Sequence, residues 1–448
     1  MDPASLALAE RSAPRYTSYP TAPHFSNSIG DAEMRAWLPR LDPGASLSLY
    51  FHVPFCKAIC VYCGCHTKAV RQDAPLESYA QTLNSEIALA ARATRARRVT
   101  SIHWGGGTPG ILGPSRFAAI VSILRENFEL AAVTEHAIEL DPRLLDADLV
   151  ETLAAAGVTR ASLGVQDLNA HVQQASGRIQ PYETVARAVS LLRGAGIAAI
   201  NLDLMYGLPK QSVEDVARTA SLAASLKPQR LAVFGYAHVP WFKSHQKLID
   251  AAALPGVGAR LAQATAVRAV LEDKGYEAIG LDHFARPDDP LAISARDKRM
   301  RRNFQGYTTD VADALLPFGV SSIGRLPQGY VGNATDLAGW RRAIEAGRFA
   351  TTRGVAFTRE DIARADLIER LMCDFEVDYG AAAMRHGYAT DAFDAARASL
   401  DALAKDGVVT MQGRRVVVTQ RGQPFVRLVA AAFDAYLQTS QARHSSAV

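Results

Sequence analysis

The chain has few cysteines, little net charge and no long apolar run, and each shortage excludes a class of protein. No stretch approaches the roughly eighteen continuous apolar residues of a membrane-spanning helix, so no span is expected. The first twenty residues, MDPASLALAERSAPRYTSYP, have neither the apolar core of a secretion signal nor an Arg-rich amphipathic pattern, which points to the cytoplasm. A net charge of +4 over 448 residues does not argue for a nucleic-acid partner, and it suits an anionic small molecule only weakly. Five cysteines are too few for a disulfide scaffold, and without a secretion signal they point to a reducing compartment. Apolar residues are plentiful. At 48% they support a large core, and the length allows about three domains, or one barrel of more than about 200 residues with smaller companions.

Four of the five cysteines fall within ten residues, in YFHVPFCKAICVYCGCH (50–66): Cys56, Cys60, Cys63 and Cys65. Thiolates this close in sequence share a metal. Zinc usually takes one C-x(2–4)-C pair and a second pair further on, and only Cys373 remains downstream. Iron–sulfur clusters are the other home for dense cysteines. The spacing C-x(3)-C-x(2)-C resembles that of the radical S-adenosylmethionine (SAM) enzymes. There, three thiolates hold three irons of a [4Fe–4S] cluster and the fourth iron is left to the amino and carboxylate groups of SAM. Tyr62 stands where that family carries an aromatic residue near the adenine.

Around this loop, strand-like runs alternate with longer helical ones. Strands are expected at 46–52, 100–104, 137–140, 160–165, 198–205, 230–236 and 276–281, and helices between them, such as 76–93 and 181–195. That alternation predicts a parallel sheet, hence an α/β fold with a partial or full (β/α) TIM-type barrel. Polar or Gly-rich clusters follow the strands, where barrels place their working residues. Residues 1–45 read as an N-terminal arm and 46–350 as the barrel and its extension. Residues 351–448 read as a small, mostly helical, winged-helix-like C-terminal domain. It has helices at 359–373, 391–404 and 423–437 and a hairpin at 408–419 turning at Gly413. PRYTSYPT (14–21) reads either as a loop laid on the core or as a flap touching substrate. The basic run 296–302 reads as a solvated face or as a binder of carboxylates.

Several residues at strand ends are candidates for chemistry. Gly105, Gly106, Gly107 and Thr108 permit close backbone approach to a ligand, or simply turn tightly. Glu139 is a ligand-binding carboxylate or a strand-end ion-pair partner. Asp203 lies in the apolar run NLDLM and needs a partner or a ligand. Arg178 is a bidentate carboxylate binder or a surface arginine. Gln166 also closes a strand. His103, His238 and His283 read as proton-handling or core histidines, none of them a metal ligand.

Seven blocks in one order narrow the resemblance: PRYTSYPTA (14–22), CKAICVYCGC (56–65), HWGGGTP (103–109), GVQD (164–167), YGLPKQ (206–211), DHFARPDD (282–289) and RNFQGYTT (302–309). Together they resemble the oxygen-independent coproporphyrinogen III oxidase family over nearly the whole chain. The resemblance implies an oxidoreductase of anaerobic haem (porphyrin) biosynthesis. Such an enzyme converts two propionates of coproporphyrinogen III to vinyl groups, giving protoporphyrinogen IX, and consumes two SAM. It implies that Cys56, Cys60 and Cys63 bind the cluster and that Cys65 does not. It further implies that Tyr50, Tyr62, Gly106, Gly107, Thr108, Glu139, Gln166, Arg178, Asp203, Ala237 and Ile323 line the sites of two SAM molecules. Arg15, Tyr16 and 282–309 would surround the substrate. Thr108 stands where many radical SAM enzymes carry a glutamate, so the methionyl amine needs other acceptors. Implied partners are coproporphyrinogen III and an electron donor such as flavodoxin or ferredoxin, with no nucleic acid, no membrane and a monomeric chain. A haem chaperone of the same superfamily, or a radical SAM methyltransferase or cyclopropanase on another substrate, is the alternative reading.

Overall fold

Alternation of side chains along strands such as Arg160–Gln166 and Ala199–Tyr206 divides an apolar outer face from a polar inner one. A computed structural model describes residues 3–437; 438–448, the end of the expected C-terminal domain, lie outside the described residues. Twelve strands form one sheet: β1 (Leu47–Val53), β2 (Val99–Gly106), β3 (Glu135–Leu140), β4 (Arg160–Gln166), β5 (Ala199–Tyr206), β6 (Arg230–Gly235), β7 (Glu277–Ile279), β8 (His283–Ala285), β9 (Ala314–Phe318), β10 (Ile323–Leu326), β11 (Gly329–Asn333) and β12 (Thr351–Ala356). Their spatial order is β12-β11-β10-β9-β1-β2-β3-β4-β5-β6-β8-β7. The run from β9 through β1 to β6 is parallel, and the outer pairs are antiparallel. No pairing joins β12 to β7 among the described residues, so the barrel is partial.

On β4, Ala161, Leu163 and Val165 are buried while Ser162, Gly164 and Gln166 are half-exposed. On β5, Ile200, Leu202 and Leu204 are buried, leaving Asn201 and Asp203 on the other face. A period of two puts every second residue on the same side, so the concave face collects Ser162, Asn201 and Asp203 from adjacent strands. Helices such as Ala74–Ala93, Tyr182–Gly194 and Val213–Ser225 cover the apolar side. The last begins at Ser212, whose hydroxyl accepts from Asp215 N while the Asp215 carboxylate accepts from Ser212 N. At the start of the strands, Arg160 and Arg230 pair with Glu135 and Asp289 in a buried network (2.8–3.6 Å), which closes the end away from the cysteines.

Two expectations are corrected. The segment 276–281 is not a parallel strand beside β6. A three-residue turn through Gly280 (φ +57°) folds β8 back antiparallel on β7, and β8 takes the place next to β6. The seventh parallel strand is β9, whose Pro317 hides it in the sequence; it pairs with β1 at Tyr50↔Pro317. The helix expected over 423–437 is a short 3-10 turn, Gln423–Phe425, and a helix ending at Ala431.

Beyond β12 come a helix (Arg359–Asp374), a second (Tyr379–Arg385), a third (Arg397–Lys405) and the hairpin Val409–Gln412/Arg415–Val418, turning at Gly413 (φ +61°). The arm packs on this unit. Leu8, Ala13, Tyr16 and Tyr19 share an apolar cluster with Leu367, Leu371, Phe425 and Phe433. Tyr16 OH donates to Asp434 (2.9 Å) and Arg427 Nη1 to Ala13 O (3.1 Å).

Glu86, on helix Ala74–Ala93, is fully enclosed beneath the loop after β9. It accepts from Gly319 N (2.6 Å) and Asn333 Nδ2 (2.8 Å). Burial nevertheless pushes its carboxyl up to about 7. A raised folded-state pKa means that the native state holds the proton longer than the unfolded one. Stability is therefore fully present below the unfolded value of 4.5 and falls as pH rises through about 7, by roughly 3 kcal/mol. Thermal melts from pH 5 to 8 should show this slope, and Glu86→Gln should remove it.

Candidate active site

The cysteine loop leaves the C-terminal end of β1 and is stapled to the end of β2. Gly107 N donates to Val53 O (2.8 Å) and Thr108 N to Phe55 O (2.8 Å). Within the loop, Cys63 N donates to Cys60 O (3.0 Å). Each of Cys56, Cys60 and Cys63 is half-buried, whereas Cys65 is exposed and Cys373 is buried far away. The three sulfurs meet different partners. Cys56 Sγ accepts from Thr67 Oγ1 (3.3 Å) and lies 3.6 Å from Thr108 Oγ1. Cys60 Sγ accepts from Arg178 Nη1 (3.5 Å). Cys63 is hydrogen-bonded to Cys65, which pulls its thiol down to about 6, with His245 and Lys243 assisting. Burial pushes the Cys56 thiol up.

Among the described residues no three His, Cys, Asp or Glu side chains gather around a single ion position. A four-iron cluster takes one thiolate per iron, so its thiolates stand wider apart than ligands sharing one ion. The donor set fits such a group: three soft sulfurs on one short loop, two of them already facing hydrogen-bond donors.

Behind the loop, the strand ends carry the polar face. Glu139 accepts from Gly106 N (3.2 Å) and sits 3.3 Å from His103 Nε2. Gly106 (φ +108°) is needed there, because a Cβ would strike the His52 ring. Tyr50 OH lies 3.0 Å from His52 Nδ1, and the Tyr50 ring 5.9 Å from that of His103. Asp203 accepts from Ser162 Oγ (2.9 Å) and Asn201 Nδ2 (2.7 Å); burial, then the charge of Glu139, pushes it up to about 6. Two carboxylates near enough for one to raise the other suit a cationic ligand. Gln166 ends β4 in a left-handed conformation (φ +67°) at a register shift. Arg178 Nη2 donates to Gly164 O (2.7 Å) and the guanidinium pairs with Asp141 (3.4 Å), while its Nε is buried without a partner among the described residues.

The sequence-derived residues thus fall into groups. Tyr50, Gly106, Glu139 and Asp203 share the polar face, Gly107 and Thr108 hold the cysteine loop, and Arg178 reaches Cys60. Tyr62 and Ala237 instead line a large cavity. Ile323 opens β10, two strands from β1 on the other side.

That cavity, about 1090 Å³, is the feature the sequence did not display. One end is Tyr62, Gly64 and Cys65 of the cysteine loop. The walls carry Arg15, Arg260, Arg268, Arg302, Arg421 and Arg427, brought from the arm, helix Val257–Asp273, the hairpin 301–308 and the C-terminal unit. Arg260 Nε, Arg302 Nη1 and Gln305 Nε2 are buried donors without partners among the described residues. Tyr16 does not line it: with φ +46° its ring turns to Asp434, and its neighbours Arg15 and Thr17 face the cavity. Residues 243–246 were also missed. Lys243 Nζ, His245 Nε2 and Gln246 Nε2 bond the carbonyls of Cys65 (2.8 Å), Cys63 (2.7 Å) and Tyr62 (3.0 Å), bracing the cysteine loop from outside. No motif signals them, because they act on backbone.

A family model described as the radical SAM superfamily matches residues 50–223, and one described as the HemN C-terminal domain matches 357–425. The chain is 49% identical over 445 residues to the oxygen-independent coproporphyrinogen III oxidase of Bradyrhizobium diazoefficiens, covering 99% of each. It is 40% identical to that of Paracoccus denitrificans, covering 99% of this chain and 98% of the relative. The solved structure of coproporphyrinogen III oxidase (HemN) from Escherichia coli, described as a radical SAM enzyme, superposes with a TM-score of 0.90 at 39% identity, covering 94% of this chain and 98% of that one. With its cysteine loop, its sheet and its C-terminal unit all matched end to end, the chain belongs to the radical SAM family of oxygen-independent coproporphyrinogen III oxidases.

Proposed function

We propose that this chain oxidatively decarboxylates two propionates of coproporphyrinogen III to vinyl groups, giving protoporphyrinogen IX in anaerobic haem biosynthesis. The observation that carries the reading is the single cavity that joins the cysteine loop to six arginines. A tetracarboxylate macrocycle needs such a space and such donors, with its reacting side chain toward the cysteines.

Cys56, Cys60 and Cys63 would hold a [4Fe–4S] cluster, with Cys65 left out. When bound, that cluster would supply the electron that cleaves SAM, the source of the radical that removes a propionate β-hydrogen; CO2 would then leave and an electron acceptor would take the remaining electron. The protein's part is to bind and to exclude water. Glu139 and Asp203 offer negative charge to cationic SAM, and Gly106 and Gly107 let backbone approach it. Tyr50, Tyr62, Thr108, Gln166, Arg178, Ala237 and Ile323 are proposed to complete the surroundings of its two copies. Arg178, donating to Cys60 Sγ, holds that side chain at the mouth of the site. A one-electron donor such as flavodoxin or ferredoxin, a monomeric chain and a cytoplasmic location complete the reading. No described helix is long and apolar enough to cross a membrane. The proposed division is an arm to 45, a barrel with its extension, and a C-terminal unit. Because Thr351–Ala356 pairs with β11, we set the last boundary near 357 rather than 351.

The test is an anaerobic assay of the reconstituted protein with SAM, a reductant and coproporphyrinogen III, followed by chromatography. Protoporphyrin together with 5′-deoxyadenosine is expected. Deoxyadenosine alone would move the chain to another radical SAM reaction, and tight haem binding with neither product would make it a chaperone. Arg260 offers a graded check. Its Nη1 donates to Tyr236 O (2.7 Å) and its Nε has no partner among the described residues. Arg260→Met should raise KM for coproporphyrinogen roughly 10- to 100-fold, with kcat changed far less, as expected for a lost charge-assisted hydrogen bond.

A further inference from the structure

The large cavity has six arginines and, among the described residues, one acid on its wall, Asp282. On the function proposed above, on which this inference rests, the occupant brings four carboxylates. An ionised carboxylate in that space opposes them. Burial works against ionisation of Asp282. Its hydrogen bond with His283 and the charges of His283, Arg302 and Arg15 outweigh burial and hold it below the usual carboxylate range. Oδ1 lies 2.7 Å from His283 Nδ1. Oδ2 has no hydrogen-bond partner among the described residues and is not a buried orphan, so it is open to the cavity. The pair is held in place: the His283 ring packs edge-on against Phe234 (5.8 Å) and Tyr307 (5.3 Å).

With Oδ2 unbonded, this fixed carboxylate has room for donors that the ligand itself supplies. A porphyrinogen has four pyrrole N–H groups turned to the centre of its ring, away from the propionates on the rim. We infer that Asp282 Oδ2 accepts these pyrrole N–H groups while the arginines take the propionates, so that Asp282 positions the macrocycle and selects the reduced ring over the oxidised one. A porphyrin has only two N–H groups and two bare ring nitrogens whose lone pairs face a carboxylate unfavourably. Sites built to bond a ligand N–H discriminate strongly against analogues lacking it.

The test is anaerobic equilibrium ultrafiltration of the reconstituted enzyme with SAM, using coproporphyrinogen III and coproporphyrin III as probes, with free ligand quantified as porphyrin after oxidation. Wild type should bind the porphyrinogen at least about 10-fold more tightly. Asp282→Asn, which swaps one acceptor for a donor, should weaken the porphyrinogen about 30-fold and leave the porphyrin unchanged or tighter. Retained porphyrin binding shows that the variant's cavity is intact. Unchanged porphyrinogen affinity in Asp282→Asn, or an equal loss for both ligands, would overturn the inference. So would a wild type without preference, a result that does not depend on the variant folding. A wild type that binds neither ligand would overturn the proposed function as well.

Discussion

Alanine at Cys60 should abolish 5′-deoxyadenosine formation, by about 1000-fold or more, and release the iron on desalting. The argument is one of counting. The loop offers three half-buried thiols, and a cluster that keeps one iron open for SAM can spare none of them. Cys65 is not expected to replace the loss, since it is exposed where the other three loop cysteines are half-buried. Cys60 also gives Arg178 its sulfur partner, so the variant leaves a buried guanidinium facing an empty site. Cys60→Ser should be nearly as severe, since a hydroxyl keeps the shape but is a poor ligand for iron. Cys65→Ala should keep its iron. Iron and sulfide assays with deoxyadenosine chromatography read all three variants; iron retained in Cys60→Ala would refute the ligand assignment.

Gly107→Ala should cost nearly as much without touching a ligand. A Cβ there would come within 2.5 Å of Thr67 Oγ1 and nearer still to Phe55 O. Neither can withdraw cheaply. Phe55 O accepts from Thr108 N, and the Thr67 hydroxyl donates to Cys56 Sγ. Relief must therefore move the residue before Cys56 or break the staple between β1 and β2. Reconstituted iron is expected to fall at least about 10-fold, with a modest drop in melting temperature, because the strain is local to the loop. Gly113→Ala is the control: it too has positive φ (+73°), but nothing lies within 4 Å of its Cβ. It should lose a little stability and no iron.

The chemistry of this protein is legible where it is local in sequence. Four cysteines within ten residues bring their sulfurs together whatever the rest of the chain does. Period-two alternation in 160–166 and 199–206 already separates Asp203 and Ser162 from the apolar core. The parallel order follows from strands separated by helices, which is how β1 to β6 were found.

What escaped is what distant segments build. Strand β9 carries a proline and no alternation, and only its place beside β1 makes it part of the barrel. The segment 276–281 had the composition of a strand, but its direction was decided by a three-residue turn that returns β8 to the sheet. Arg15 and Tyr16 are adjacent in sequence, yet Arg15 lines the cavity while left-handed Tyr16 turns its hydroxyl to Asp434. The six cavity arginines lie at 15, 260, 268, 302, 421 and 427, each ordinary in its own neighbourhood, and they acquire a common purpose only when the arm and the C-terminal unit close over β5 and β6. Sequence by itself determined the loop that carries the cysteines and the polar face behind it, because spacing along a strand or a short loop fixes direction. The shape and charge of the cavity were decided by tertiary structure, because burial and the loss of competing water arise only after remote segments pack.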